Sequence, residues 1–167
     1  MALPKDLVLA LAGTYTLLNT TTRAPNGTLL ANVAYGAAPI GLLTYTLEGY
    51  MSATIAASEP EFRPDNLTFP FQASQSDEDW ALVGKHTLGY AGPYTFVEGS
   101  TNSSGTVVHG PLTVGNVPSW VGSNQTRNYT VFSAPGEPVL INIFSARTDG
   151  TIGELWWQKL LDLVGLP

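Results

Sequence analysis

The chain has two histidines and no cysteine, so its side chains offer proton transfer and hydrogen bonding rather than thiol chemistry. His109 stands in Val107-Val108-His109-Gly110-Pro111, among small and apolar neighbours. Burial there would move its pKa and fit it as a proton shuttle or hydrogen-bond donor; the plainer alternative is a hydrogen-bonded core histidine. Arg127 alternates with Gln125, Tyr129 and Val131, so an inward-facing strand would hold a permanent cation beside a phenol. Such a pair can bind a carboxylate or polarise a carbonyl; the alternative is a guanidinium stacked on Trp120 or paired with a carboxylate at a rim. Tyr50 and Ser52 alternate with Met51 and Ala53, giving one polar and one apolar face without saying which one lines a pocket. Of Trp156 and Trp157, at most one can face a cavity.

Other chemistries lack their residues. There is no phosphate-binding Gly-x-x-x-x-Gly-Lys, no Gly-x-Gly-x-x-Gly, no His-Glu-x-x-His and no Gly-x-Ser-x-Gly, so no cofactor is expected. Two histidines without cysteines could complete a metal site only with carboxylates from distant strands, and no metal is expected either. A net charge of −6 leaves no basic face for phosphates, so nucleic acid is not an expected partner. No run approaches the ~18 apolar residues of a membrane-spanning helix.

The absence of cysteine fits a reducing compartment. The opening Met1 to Gly13 imitates a signal peptide, but Asp6 and the short apolar run Leu7 to Ala12 favour a lead-in helix or turn. Sequons begin at Asn19, Asn26, Asn66, Asn102, Asn124 and Asn128 and keep secretion as the alternative to the expected cytoplasmic location.

Placing such residues falls to strands. Short apolar, β-branched runs separated by Gly, Pro and Asn predict strands at Thr14 to Thr20, Gly41 to Thr46, Tyr50 to Ala57, Tyr94 to Glu98, Thr106 to Val114, Gln125 to Ser133, Val139 to Ala146 and Ile152 to Leu160. One helix is predicted near residues 76–90, with Ser76 as N-cap, Asp77, Glu78 and Asp79 in its first turn, and His86 as a partner of its C-terminal dipole. Glu59 to Gln75 reads as a long loop packed by its aromatic residues. Eight or nine antiparallel strands in one domain, 1–167, imply a closed up-and-down β-barrel with room for one small ligand.

The ordered blocks carry a resemblance. Leu11-Ala12-Gly13-Thr14-Tyr15, Tyr35-Gly36-x-x-Pro39-x-Gly41, Leu43-Thr44-Tyr45-Thr46 and Gly49-Tyr50-Met51-Ser52-Ala53 are followed by Tyr90-Ala91-Gly92-Pro93-Tyr94 and Val107-Val108-His109. Then come Pro118-Ser119-Trp120-Val121-Gly122, Gln125-x-Arg127 and Leu155-x-Trp157-x-Lys159-Leu160. The series resembles the single-domain lipocalin-like proteins of bacteria and filamentous fungi. Tyr15 departs from the family's usual Trp and Lys159 from its usual Arg, two positions that pack together at the closed end of related barrels.

The resemblance implies a barrel open at one end, holding a lipophilic small molecule. Larger fungal proteins with similar folds act as cofactor-free cyclases in specialised-metabolite biosynthesis, which by analogy suggests a cofactor-independent cyclase or isomerase, Diels–Alder type included, acting on a polyketide- or terpenoid-like intermediate. On that reading His109, Arg127 and Tyr50 are catalytic, and Trp120, Tyr129, Tyr45, Tyr94 and Ser52 bind substrate. A non-catalytic carrier and a dehydratase or hydrolase stand as alternatives, and the protein is a monomer or homodimer.

Overall fold

Period-two alternation becomes strand almost wherever it occurs in the computed structural model, which describes residues 3–160. Helix α1 (Lys5–Leu11) leads into β1 (Gly13–Arg23), β2 (Leu29–Leu30), β3 (Ile40–Tyr45) and β4 (Tyr50–Ala56). After helix α2 (Asp77–Lys85) come β5 (Thr87–Phe96), β6 (Ser104–His109), β7 (Val114–Gly115), β8 (Gln125–Phe132), β9 (Leu140–Ala146) and β10 (Ile152–Lys159). The eight long strands pair antiparallel in chain order, and β10 returns to β1, with Tyr15 opposite Lys159 and Arg23 opposite Ile152. That last ladder closes the sheet and removes its free edges. The two-residue strands β2 and β7 add to the rims, on β1 and β5.

Inward positions follow from the alternation. Leu43 and Tyr45 on β3, Met51, Ala53 and Ile55 on β4, Tyr90 and Tyr94 on β5, and Val107 and His109 on β6 are buried, while Tyr50, Ser52 and Thr54 on β4 face out. The ring continues through Tyr129, Ile141, Ile143 and Trp157. Trp156, on the other face of β10, stacks outside on Phe132.

Helix α1 seals one end. Leu7, Val8 and Leu11 recur at helical spacing and are buried, and Leu11 joins the barrel core beside Tyr15, whose hydroxyl donates to the Leu11 carbonyl at 2.9 Å. Burying each of those side chains contributes about 1.5–3 kcal/mol. Above this plug lies an aromatic layer: Tyr45 meets Tyr94 edge-on at 5.1 Å, Tyr94 meets Phe96 at 5.7 Å, and Phe96 meets Tyr129 at 6.1 Å. The phenols of Tyr94 and Tyr129 donate to the backbone carbonyls of Thr46 and Thr101, so both rings are buried without an unpaired hydroxyl.

The predicted helix over 76–90 is shorter than expected, and α1 makes a second one. Ser76 does cap α2, accepting from the Asp79 amide, but the helix ends at Lys85 with His86 as C-cap. Residues 87–90 belong to β5, where Thr87, Leu88, Gly89 and Tyr90 pair with Ala56, Ile55, Thr54 and Ala53. Their spacing suits either structure, and the open ladder of β4 decides it by taking up their backbone groups. The Glu59 to Gln75 segment is a loop with one 3-10 turn at Pro60–Phe62, but Phe69 and Phe71 are exposed rather than packed.

Candidate functional site

At the end opposite α1 the barrel holds a cavity of about 500 Å³. The apolar part of its wall is Leu43, Ala53, Ile55, Leu88, Ile143 and Leu155, contributed by five strands, and polar side chains including Thr87, Gln125, Thr126 and Ser145 complete it. Its rim is built from the 31–39 loop, the end of α2 and the 116–120 loop. His86 ties two of these together, since its ring stacks on Phe62 at 4.0 Å and its Nδ1 bonds the Ala34 carbonyl at 2.9 Å. Pro118 starts the 3-10 turn that carries Trp120 to the wall. Gly92 has no side chain, and a Cβ there would come within 3.0 Å of the Leu112 and Thr113 backbone, so the segment before that turn can lie against β5.

His109 sits where the cavity meets the aromatic layer and is 1 % exposed. Its Nε2 is 2.7 Å from the Tyr45 hydroxyl and its Nδ1 is 3.3 Å from the Tyr90 hydroxyl. Burial first, and the Arg127 charge second, push its pKa down to about 3, so the ring is neutral at physiological pH and carries one proton. The network assigns that proton. Tyr45 is fully buried and its hydroxyl has Nε2 as partner, so it must donate there or leave a buried proton unpaired. Nε2 is then the acceptor, Nδ1 carries the hydrogen, and Nδ1–H donates to Tyr90. Tyr90 itself lines the cavity, so its own hydroxyl proton is the free end of the chain Tyr45–His109–Tyr90. Burial raises the pKa of Tyr90 and keeps it protonated, with Arg127 pulling the other way.

Arg127 is inward-facing, half-buried and part of the cavity wall. Its guanidinium carbon lies 5.8 Å from the Trp120 ring centroid, and its Nη1 donates to the Thr126 carbonyl at 2.9 Å. Both sequence readings of this residue therefore hold together: it lines the cavity and it stacks on Trp120. Trp120 in turn meets Tyr90 edge-on at 5.5 Å, so cation, indole and phenol form one continuous patch.

The remaining expected site residues fall elsewhere. Tyr45 supports His109 from below, while Tyr94 and Tyr129 lie in the aromatic layer with their hydroxyls bonded to backbone. Tyr50 is 58 % exposed on the outer face of β4, and Ser52 lines an open groove outside the barrel with Leu42 and Thr54. Neither reaches the cavity, because the inward register of β4 belongs to Met51, Ala53 and Ile55. Sequence reasoning misses Tyr90, Lys85 and Arg147 as cavity residues. The Tyr90-Gly92-Tyr94 alternation could have shown the first; nothing in the sequence marks the other two.

Residues 12–160 match the lipocalin-like domain family. The chain belongs to that family. The resemblance read from its motifs and the up-and-down barrel it implied are thereby borne out. No curated protein matches the sequence. Among solved structures, a redesigned β-barrel aligns with 96 % of this chain and 100 % of its own at 11 % identity, with a TM-score of 0.40, a likeness too slight to bear on function. This lipocalin-like barrel suits small-molecule binding, and among its described residues no helix is long and apolar enough to cross a membrane.

Proposed function

We propose that this lipocalin-like protein takes a lipophilic biosynthetic intermediate into its barrel and acts on it as a cofactor-independent cyclase or isomerase. The observation that carries the reading is a cavity of about 500 Å³ that sets apolar side chains from five strands beside a cluster of Tyr90, His109 and Arg127. A volume of that order suits a drug-sized molecule. The apolar wall folds a flexible chain into a near-attack conformation and excludes water, while Tyr90 and Arg127 donate to a carbonyl oxygen on which charge develops. His109 acts through Tyr90, holding the phenol with its proton toward the substrate. A ring this weakly basic, with both nitrogens engaged, is not suited to activating a hydroxyl or a water, which weighs against the dehydratase and hydrolase readings.

The same engaged ring favours one second reading, a carrier that binds and shields its ligand without chemistry. Incubating the purified protein with linear polyene-carbonyl precursors and no added cofactor separates the two. A product of unchanged mass with new connectivity and one dominant enantiomer supports the cyclase. Saturable binding with no effect on the rate or stereochemistry of ring closure assigns the carrier.

A further inference from the structure

The chain has seven Lys and Arg against thirteen Asp and Glu, yet Lys85, Arg127 and Arg147 all line the one cavity. Among the described residues no Asp or Glu lines it, and the ion pair these residues form is elsewhere, between Arg23 and Glu154. A protein of net charge −6 thus gathers three of its seven Lys and Arg around this chamber, with no carboxylate in its lining, although Asp149 lies near Arg147 outside it. One further feature points the same way. Arg147 lies across Gly153, where a Cβ would stand 3.2 Å from its Nη2, so the missing side chain leaves room for the guanidinium at the cavity.

From these we infer that the ligand is an amphipathic organic anion, an apolar body bearing a carboxylate or a comparably acidic enol. Its head meets Arg127 and the Tyr90 hydroxyl, and Lys85 and Arg147 hold the same sign of charge beside it. This inference rests on the proposal that the cavity binds a lipophilic molecule, and it adds the charge of that molecule. The polar groups named are all donors, so a cationic or donor-only ligand would leave them unpaired and repelled.

Two fluorescent probes of one skeleton test it: 1-anilinonaphthalene-8-sulfonate, an anion, and N-phenyl-1-naphthylamine, its neutral counterpart. The anion is expected to bind the native protein with at least tenfold lower Kd, and to lose affinity as salt rises while the neutral probe does not. Arg127→Gln should erase most of that preference. Arg147→Gln, at an exposed position where folding is not at stake, should reduce it several-fold, and Lys5→Gln, an equal change of charge far from the cavity, should leave it intact. If the neutral probe binds as tightly as the anion, or if Lys5→Gln lowers the preference as much as Arg147→Gln does, the anion inference is wrong while the lipophilic cavity stands. If neither probe binds saturably at one site, both readings fall.

Discussion

At the scale of single residues, the decisive arrangement is an imidazole held between two phenols. His109 titrates at about 3 in the barrel against an ordinary 6.5. The folded value is the lower one, so as pH falls the unfolded chain takes up its proton first, and stability present in full above 6.5 drains away toward 3. Between pH 6.5 and 4.5 that amounts to roughly 2–3 kcal/mol. Urea unfolding at half-unit steps should show this slope in the native protein and a flatter one in His109→Gln. An equal slope in both would assign the loss to carboxylates alone. Tyr45→Phe removes the donor to Nε2 and should cost about 1–3 kcal/mol as a buried acceptor goes unpaired. It should also shift the imidazole nitrogen resonances away from the Nδ1–H tautomer, which nitrogen NMR reads directly. His109 and Arg127 were marked as candidates by their neighbours, but each only on the condition that its strand face points inward. Tyr50 and Ser52 were not excluded, because alternation defines two faces and only closure of the barrel tells inside from outside.

Elements decide how firmly these residues are held. The plug α1 reaches the core through Leu11, which is completely buried against the barrel and whose carbonyl anchors Tyr15. Leu11→Ala should destabilise the protein by about 2–5 kcal/mol in chemical denaturation while leaving the opposite, ligand-facing end unchanged. Helix α2 is different: no residue on it is buried, and it is kept over the rim by its Ser76 cap and by His86 at its end. Ser76→Ala should cost the helix about 1 kcal/mol, seen as faster amide exchange across 77–85 with little change in global stability. Six of the eight long strands were visible in the sequence to within about three residues at each end because period-two alternation and turn residues mark their faces and ends, whereas the strand expected over Thr106 to Val114 stops at His109. The start of β5 was hidden for a physical reason. Trp80, Val83, Thr87 and Tyr90 keep helical spacing straight across the junction, and only pairing with β4 ends the helix at Lys85.

For the whole molecule, a binding chamber that exists only in the folded barrel links stability to occupancy. A ligand that binds only the folded barrel adds about 2.7 kcal/mol at a hundred times its Kd, so the melting temperature should climb with anionic probe concentration and stay flat with an equal amount of sulfate. The charge of that chamber was the least legible feature of the sequence. Lys85, Arg127 and Arg147 are far apart along a chain that is acidic overall, and they converge only because a helix end, a strand and a hairpin meet at one rim. The seam between β1 and β10 carries a further consequence for how the protein acquires this shape. Every other ladder of the barrel wall joins strands consecutive in it, whereas the rung from Tyr15 to Lys159 joins positions at nearly opposite ends of the described chain. Loop closure makes that rung the most expensive to form early, so the hairpins assemble first and the seam zips last. The chamber does not exist until it does. A ligand can then only lock the finished barrel, slowing its unfolding in stopped-flow experiments while leaving the refolding rate untouched.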